Sequence, residues 1–272
     1  MSTAIFSMYT AEGFAFGADG RQCRADGTVI NEDAQKVFSI EEPKRCLGYA
    51  LAGVVVLTAE DGDTVFDFVS ETPKAASFMT TRKPTGLTKY ATELAYWLNQ
   101  RLRNSVSAAT RSGHIFRYPD IPQFTYTDQG ERGGTIARIF LAGYYESAEG
   151  WTMMRFSHMN QALKPPTVTT YPIHPGNTIG YGSRIVADRL YGTQDEEFSS
   201  YRRPRREKLE DTTLIEAIDF TRETIRAQAS FRARELDPDC CGLIGGKIHV
   251  ATLTRARGFQ WIDPPTSRTG EV

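Results

Sequence analysis

The chain has 272 residues, of which 40% are hydrophobic and 24% charged, and its formal net charge is -1 at pH 7. This composition is that of an ordinary globular protein that can bury its own core. The near-neutral charge gives no electrostatic reason to expect nucleic acid or an anionic membrane as a partner. No stretch separates two independently patterned halves, so we expect one domain over 1–272, with a tail over about 256–272 that can be extended.

The sequence shows no targeting or membrane-spanning pattern. No run of eighteen apolar residues predicts a transmembrane helix, and residues 1–13 lack the basic and apolar regions of a signal peptide. Reduced thiols are expected because the spacing of the cysteines fits neither a zinc site nor a disulfide framework. The four cysteines are Cys23, Cys46, Cys240 and Cys241. We therefore expect a cytoplasmic protein.

The first fifty-three residues predict short β-strands joined by turns. Apolar, β-prone runs alternate there with turn-forming residues, which is the pattern of hairpins. The predicted strands cover residues 4–9, 13–18, 36–40 and 46–52, with a polar excursion over 21–35. Gly53 ends the last strand, and a helix is expected from Val54.

The rest of the chain predicts helices placed around a second hairpin. Apolar residues recur three and four apart from Leu87 to Leu102, which gives one buried helix face, and Thr213 with Glu216 matches a capping box. The remaining predictions are a polar loop over 105–129, strands over 136–145, 151–158, 177–181 and 243–253, and a helix from Ser183 to Tyr191. This order indicates layered α+β packing rather than a doubly wound parallel sheet.

A basic run over 201–208 is the one local feature that suggests nucleic acid. Acidic residues flank it at 195–197 and 207–211, and no aromatic platform accompanies it. We therefore interpret it as a solvated loop and expect no nucleic-acid partner.

Standard catalytic motifs are missing from the sequence, but the beginning of the chain contains hydroxyl residues that could act as a terminal nucleophile. There is no GxSxG elbow, HExxH helix or phosphate-binding loop, and four scattered histidines do not indicate a metal site. A hydroxyl at a chain terminus can instead use its own α-amino group, of pKa about 8, as the base. Such a nucleophile needs a nearby cation, and the cation needs a carboxylate to hold it.

Three early motifs carry a resemblance to a known family. The segment from Thr3 turns at Gly13 and ends its second strand in Asp19-Gly20-Arg21, Lys36 opens a short apolar strand, and a further strand ends in Ala52-Gly53. In this order and spacing, the motifs resemble the opening of proteasome β-type subunits and their bacterial relatives, which are N-terminal-nucleophile hydrolases.

Later segments resemble the same family more loosely. Residues 177–183 resemble its Gly-Ser-Gly turn, with Tyr181 in place of the usual Ser, and Gly245-Gly246 resembles its late Gly-Gly segment. The family's Asp before that segment has no clean match, because its position falls near Cys241 while Asp239 lies two residues early.

The resemblance implies an α+β fold, a four-layer α-β-β-α sandwich, with Thr3 as the terminal nucleophile. Thr3 aligns without a gap, and Ser2 is the alternative because removal of Met1 alone would expose it. Either would make the chain a threonine (or serine) peptidase or amidase that acts on peptide bonds through an acyl-enzyme.

The resemblance also assigns the supporting groups. Lys36 supplies the positive charge, Asp19 keeps Lys36 oriented and protonated, and the backbone N–H of Gly53 faces the oxyanion. Arg21 is expected to be structural. This chemistry needs no cofactor and no metal.

The implied partners are a peptide or protein substrate and further copies of the chain in a ring-like homo-oligomer, and the sequence leaves an ATPase partner open. Two alternatives remain. The chain could be a catalytically inactive proteasome-like structural subunit or binding module, or a small-molecule amidase of the same fold.

Overall fold

The computed structural model describes most of the chain, with gaps in its loops and at its ends. The described residues are 3–23, 27–42, 45–114, 134–145, 148–159, 162–163, 165–171, 173–191, 198–201 and 208–266. The predicted loop over 115–129 and most of the basic run, 202–207, lie outside them.

Fifteen strands and six α-helices are described. The strands are β1 (Ile5–Thr10), β2 (Gly13–Asp19), β3 (Gln22–Cys23), β4 (Val29–Asn31), β5 (Val37–Glu42), β6 (Arg45–Gly53), β7 (Val56–Thr58), β8 (Thr64–Asp67), β9 (Gly134–Tyr145), β10 (Ala148–Met159), β11 (Ala162–Leu163), β12 (Thr167–Tyr171), β13 (Thr178–Tyr181), β14 (Ile248–Thr254) and β15 (Gly258–Asp263). The helices are α1 (Phe68–Arg82), α2 (Leu87–Arg111), α3 (Arg184–Tyr191), α4 (Leu214–Gln228), α5 (Phe231–Leu236) and α6 (Pro238–Cys241).

Two antiparallel sheets contain most of the strands. One has the order β13-β1-β2-β14-β15, and the other has the order β11-β10-β9-β6-β5, with β12 also paired to β10. Alternate side chains of each sheet face the other sheet, as the pleat of a strand requires. The Phe14 ring thus lies 5.6 Å from the Tyr144 ring and 5.8 Å from the Trp151 ring. These aromatic contacts join the two sheets.

Helices pack on both sheets. Leu94 and Leu98 of α2 belong to the apolar cluster that includes Met154 of β10, and the Phe220 ring of α4 lies 5.3 Å from the Phe6 ring of β1. The mixed α and β architecture with antiparallel sheets agrees with the sequence prediction. Among the described residues, no helix is both long and apolar enough to span a membrane.

Several of the predicted elements differ in their extent, among them the strand predicted over 243–253, which begins only at Ile248. A short hairpin, β7–β8, follows Gly53, and the helix begins only at Phe68, where the Asp67 carboxylate caps the Val69 amide at 2.8 Å. Residues 105–111 belong to α2 rather than to a loop, because Val106 continues its buried face. Part of the predicted tail forms β15, whose alternating apolar residues pair with β14.

Candidate active site

A buried ion pair joins the two sheets near the beginning of the chain. Asp19 is the last residue of β2, and Lys36 immediately precedes β5 in the other sheet. The Lys36 Nζ donates to Asp19 Oδ1 at 2.9 Å, with the two side chains 7% and 0% exposed, respectively. Burial of a charged pair is tolerated only when the geometry is good and the remaining polar atoms are satisfied.

The Asp19 carboxylate meets that requirement through the backbone. Its Oδ1 also accepts from the Ala4 amide at 2.9 Å, and its Oδ2 accepts from the Gly245 amide at 3.2 Å. The Asp19 amide in turn donates to the Ala4 carbonyl at 3.1 Å. Asp19 therefore links Lys36 directly to the residue that follows Thr3, and Thr3 itself is buried, with 4% exposure.

Gly53 lies at the end of β6, close to the Lys36 backbone. The Leu51 amide donates to the Lys36 carbonyl at 3.0 Å, so Lys36 sits beside the last residues of β6. Gly53 has φ +89, and a Cβ at this position would lie 2.5 Å from the Ile136 carbonyl oxygen. Glycine is required here by both its conformation and the close approach of β9.

We expect Gly53→Ala to destabilise the fold more than Gly62→Ala does. Gly62 also has a positive φ of +92, but nothing lies within 4 Å of a Cβ placed there. Both changes cost about 1–3 kcal/mol for the left-handed backbone, and only Gly53→Ala adds a steric overlap worth about 1–3 kcal/mol. Urea unfolding measures the difference, and equal midpoints for the two variants would contradict the close packing at Gly53.

The Gly-Gly segment packs against Arg21. The Arg21 amide donates to the Gly245 carbonyl at 2.8 Å, and its Nε donates to the Glu32 carboxylate at 3.0 Å. A Cβ on Gly245 would lie 2.7 Å from the Arg21 guanidinium carbon, and one on Gly246 would lie 2.3 Å from the Glu32 carbonyl oxygen. Glycine is thus needed at Gly246, which has φ +77 and meets backbone, whereas the contact at Gly245 is with the flexible end of Arg21.

The turn after Tyr181 packs against the end of α4 and against α6. The Ser183 amide donates to the Gln228 Oε1 at 2.9 Å, and the Gln228 Nε2 donates to the Ser183 carbonyl at 3.0 Å. Cys241 is buried and places its Sγ 3.7 Å from the same Gln228 oxygen, whereas Asp239 is exposed. Gln228 therefore fixes the turn after Tyr181, a role that no sequence motif indicated.

A second polar network anchors the segment that leads to Lys36. The Nε2 of His249, which is fully buried, lies 2.6 Å from the Asp33 Oδ1, and the Asp33 Oδ2 accepts from the Thr266 amide at 2.8 Å. Burial opposes ionisation of Asp33, but hydrogen bonds from Thr266 and His249 outweigh it and lower the pKa of Asp33 to about 2. The pair ties residues after β15 to the loop before β5.

We expect stability to fall between pH 7 and pH 5 because of His249. Burial lowers its pKa below the ordinary 6.5, against the opposing effect of the Asp33 carboxylate. The folded state disfavours the protonated ring. The contribution of His249 to the free energy of unfolding is therefore complete above pH 6.5 and is lost as pH falls toward the lowered pKa. Urea unfolding at pH 7, 6 and 5 should show a smaller pH dependence in His249→Gln than in the wild type. The same dependence in both would contradict the role of His249.

Another cluster with possible metal ligands lies elsewhere in the fold. Asp61, Asp63 and His114 bring ligand atoms within 4.8 Å of one another, and Asp63 and His114 border a cavity of about 450 Å³ between β8 and the end of α2. The two aspartates are exposed, and the His114 Nδ1 lies 2.7 Å from the Asp61 carboxylate. This cluster involves neither the β1–β2 hairpin nor β5, so it is separate from the candidate active site.

Solved structures that are similar to this chain include two of Anbu proteins. Anbu (Gly-1) mutant from Hyphomicrobium sp. strain MC1 has 13% identity and a TM-score of 0.48, with 96% of this chain and 87% of that chain covered. Anbu (ancestral beta-subunit) from Yersinia bercovieri has 13% identity, a TM-score of 0.47 and the same coverage. No protein-family model and no curated protein matches the sequence.

The structure thus brings Asp19 and Lys36 into direct contact. Thr3 precedes Ala4, whose amide donates a hydrogen bond to the Asp19 carboxylate. Gly53 ends the strand that lies beside the Lys36 backbone. Ser2 lies outside the described residues. The described residues thus place a carboxylate and a cation in contact, with the carboxylate bound to the amide of the residue after Thr3.

Proposed function

We propose that this chain is a single-domain N-terminal-nucleophile hydrolase of the proteasome-like type, with a four-layer α-β-β-α sandwich. Its activity would be that of a threonine (or serine) peptidase or amidase. The observation that carries the proposal is the buried Asp19–Lys36 pair, which is held against the first strand by the Ala4 amide. A buried charge pair is costly to maintain, and the proposal gives this cation the task of activating a terminal hydroxyl.

In the proposed reaction, the terminal hydroxyl oxygen attacks the carbonyl carbon of an amide. The free α-amino group of the same residue accepts the hydroxyl proton, and the C–O bond forms as the carbonyl becomes an oxyanion. When the oxyanion collapses, the C–N bond breaks and the proton passes to the leaving amine. Water then attacks the ester, releases the acid and restores the hydroxyl.

Each supporting group has a defined part in these steps. The Lys36 ammonium favours the neutral form of the amine and the anionic form of the hydroxyl, and Asp19 keeps the ammonium in place. The Gly53 backbone, which has no Cβ to obstruct it, can approach the oxyanion closely.

Thr3 is the nucleophile that the geometry favours. Ile5, the first residue of β1, packs between the sheets, and Ala4 before it packs on the helix side. Continued back by one residue, this alternation puts Thr3 on the inter-sheet side. The use of Thr3 requires removal of both Met1 and Ser2, whereas Ser2 would require removal of Met1 alone.

A second candidate function is a non-catalytic proteasome-like subunit. The observation that favours it is the exposed Asp239, together with the buried Cys241 at the position where the family has an acid. In that case the Asp19–Lys36 pair would only stabilise the fold.

For partners, the family resemblance supports a ring-like homo-oligomer and peptide or protein substrates, and we propose both. No ATPase partner is proposed, because the described residues contain nothing that identifies one.

Covalent labelling by a hydroxyl-directed electrophile tests the proposal. We expect one label per chain, located by peptide mass spectrometry on the N-terminal peptide and lost in Thr3→Ala. Ser39→Ala, which removes an exposed hydroxyl of β5, is the control and should label like the wild type. Label lost in Ser2→Ala but retained in Thr3→Ala would assign the role to Ser2. Wild-type protein that takes no label would support the non-catalytic subunit.

A further inference from the structure

Arg138 of β9 is a half-buried cation with an aromatic partner. Its guanidinium carbon lies 4.6 Å from the centroid of the Tyr181 ring. The Nε atom is buried, and among the described residues no hydrogen-bond acceptor and no carboxylate pairs with it. A buried guanidinium nitrogen without an acceptor is costly, so the arrangement suggests that an anion completes it.

Strand register places this pair at the Thr3 end of the space between the sheets. Arg138 lies opposite Ala52, which precedes Gly53, and Tyr181 lies opposite Ile5, two residues after Thr3.

Side-chain direction agrees with that placement. Arg138 shares its strand face with Phe140, and Tyr181 shares its face with Ile179; all but Arg138 pack in the apolar cluster between the sheets. The Phe140 and Tyr181 rings are 6.2 Å apart. Arg138 and Tyr181 therefore meet from opposite sheets, near the end of β1 that Thr3 precedes.

We infer that Arg138, supported by the Tyr181 ring, is the specificity-determining residue for peptides with a carboxylate beside the scissile amide. This inference rests on the proposed function. A guanidinium stacked on a ring keeps its N–H edges free, and its planar fork matches a carboxylate. Lys36 cannot serve this purpose, because Asp19 already pairs with it.

Tyr181 does not neutralise the Arg138 charge. Burial raises the pKa of Tyr181, although the Arg138 charge opposes the shift. The phenol therefore stays neutral at physiological pH and supplies a ring face rather than a counter-ion.

A matched peptide set tests the inference. Peptides that differ only in Glu, Gln or Lys beside the cleaved bond separate charge from size. We expect the wild type to prefer Glu over Gln by about 10- to 100-fold in kcat/KM, since one charge-assisted hydrogen bond is worth that much. Arg138→Ala should remove the preference and Arg138→Glu should reverse it toward Lys. Arg103→Ala, an exposed position on α2, is the control and should keep the wild-type preference.

The readout separates a recognition role from a structural one. A structural Arg138 would lower kcat/KM for the Glu and Gln peptides equally, and an unchanged Glu-to-Gln ratio in Arg138→Ala would overturn the inference. If that variant does not fold, wild-type protein still gives an answer. N-acetylglutamate should then protect the terminal hydroxyl from labelling better than N-acetylglutamine, and equal protection would overturn the inference.

Failure of the proposed function gives a different result. Wild-type protein that neither takes the label nor cleaves any peptide would overturn the proposed function and this inference together. Wild-type protein that is labelled and cleaves all three peptides equally would overturn the role of Arg138 alone.

Discussion

Lys36→Met should slow labelling of the terminal hydroxyl and hydrolysis of every peptide substrate by about 10²–10³. Methionine keeps the length and apolar stem of lysine and removes only the ammonium group. That ammonium is the cation next to the first strand, held 2.9 Å from Asp19. Loss of one such electrostatic group from an acyl-transfer site typically costs about 10²–10³ in rate. The rate of labelling under fixed electrophile concentration measures the effect.

The matched control is Lys89→Met on α2. Lys89 is 57% exposed and pairs only weakly with Glu93, so its removal should leave the labelling rate unchanged. If Lys36→Met labelled as fast as Lys89→Met, the assigned role of Lys36 would be wrong.

Separate and combined changes in the ion pair should have very different effects on stability. Asp19→Asn alone leaves the buried Lys36 ammonium without its carboxylate, and Lys36→Met alone leaves the buried carboxylate without its cation. Each should lower the free energy of unfolding by about 3–5 kcal/mol. The double variant removes both charges, so it should be less destabilised than the sum of the two single variants. Urea unfolding of the four proteins gives the coupling free energy.

An exposed pair on α4 provides the comparison. Arg226 pairs with Glu223 at 2.5 Å, but its side chain is 54% exposed. Arg226→Met should therefore cost less than about 1 kcal/mol. Additive losses in the Asp19 and Lys36 variants, each as small as that of Arg226→Met, would show that the buried pair does not couple the two sheets.

Local patterns in the sequence predicted the elements that depend on neighbouring residues. The β1–β2 hairpin follows from two apolar runs around a turn, and α4 begins at its capping box, in which the Thr213 Oγ1 accepts from the Glu216 amide. The contact between Asp19 and Lys36 was expected from the resemblance, because both residues occur in its motifs.

Other features depend on contacts that no local pattern contains. His249 and Asp33 are separated by 216 positions and meet only after β14 pairs with β2. No sequence motif singles out Arg138. Its placement opposite Ala52 depends on the register of β9 with β6, and its partner Tyr181 comes from the other sheet. Strand register and sheet packing supply these relations, and neither is encoded in a window of a few residues.

The intact mass of the purified protein tests the central claim most directly, because a terminal nucleophile must have a free α-amino group. We predict a mass that lacks Met1 and Ser2, with Thr3 as the first residue. Loss of Met1 alone would transfer the nucleophile to Ser2. A mass that retains Met1 would contradict the proposed catalysis, since the free amine would then belong to a residue without a hydroxyl.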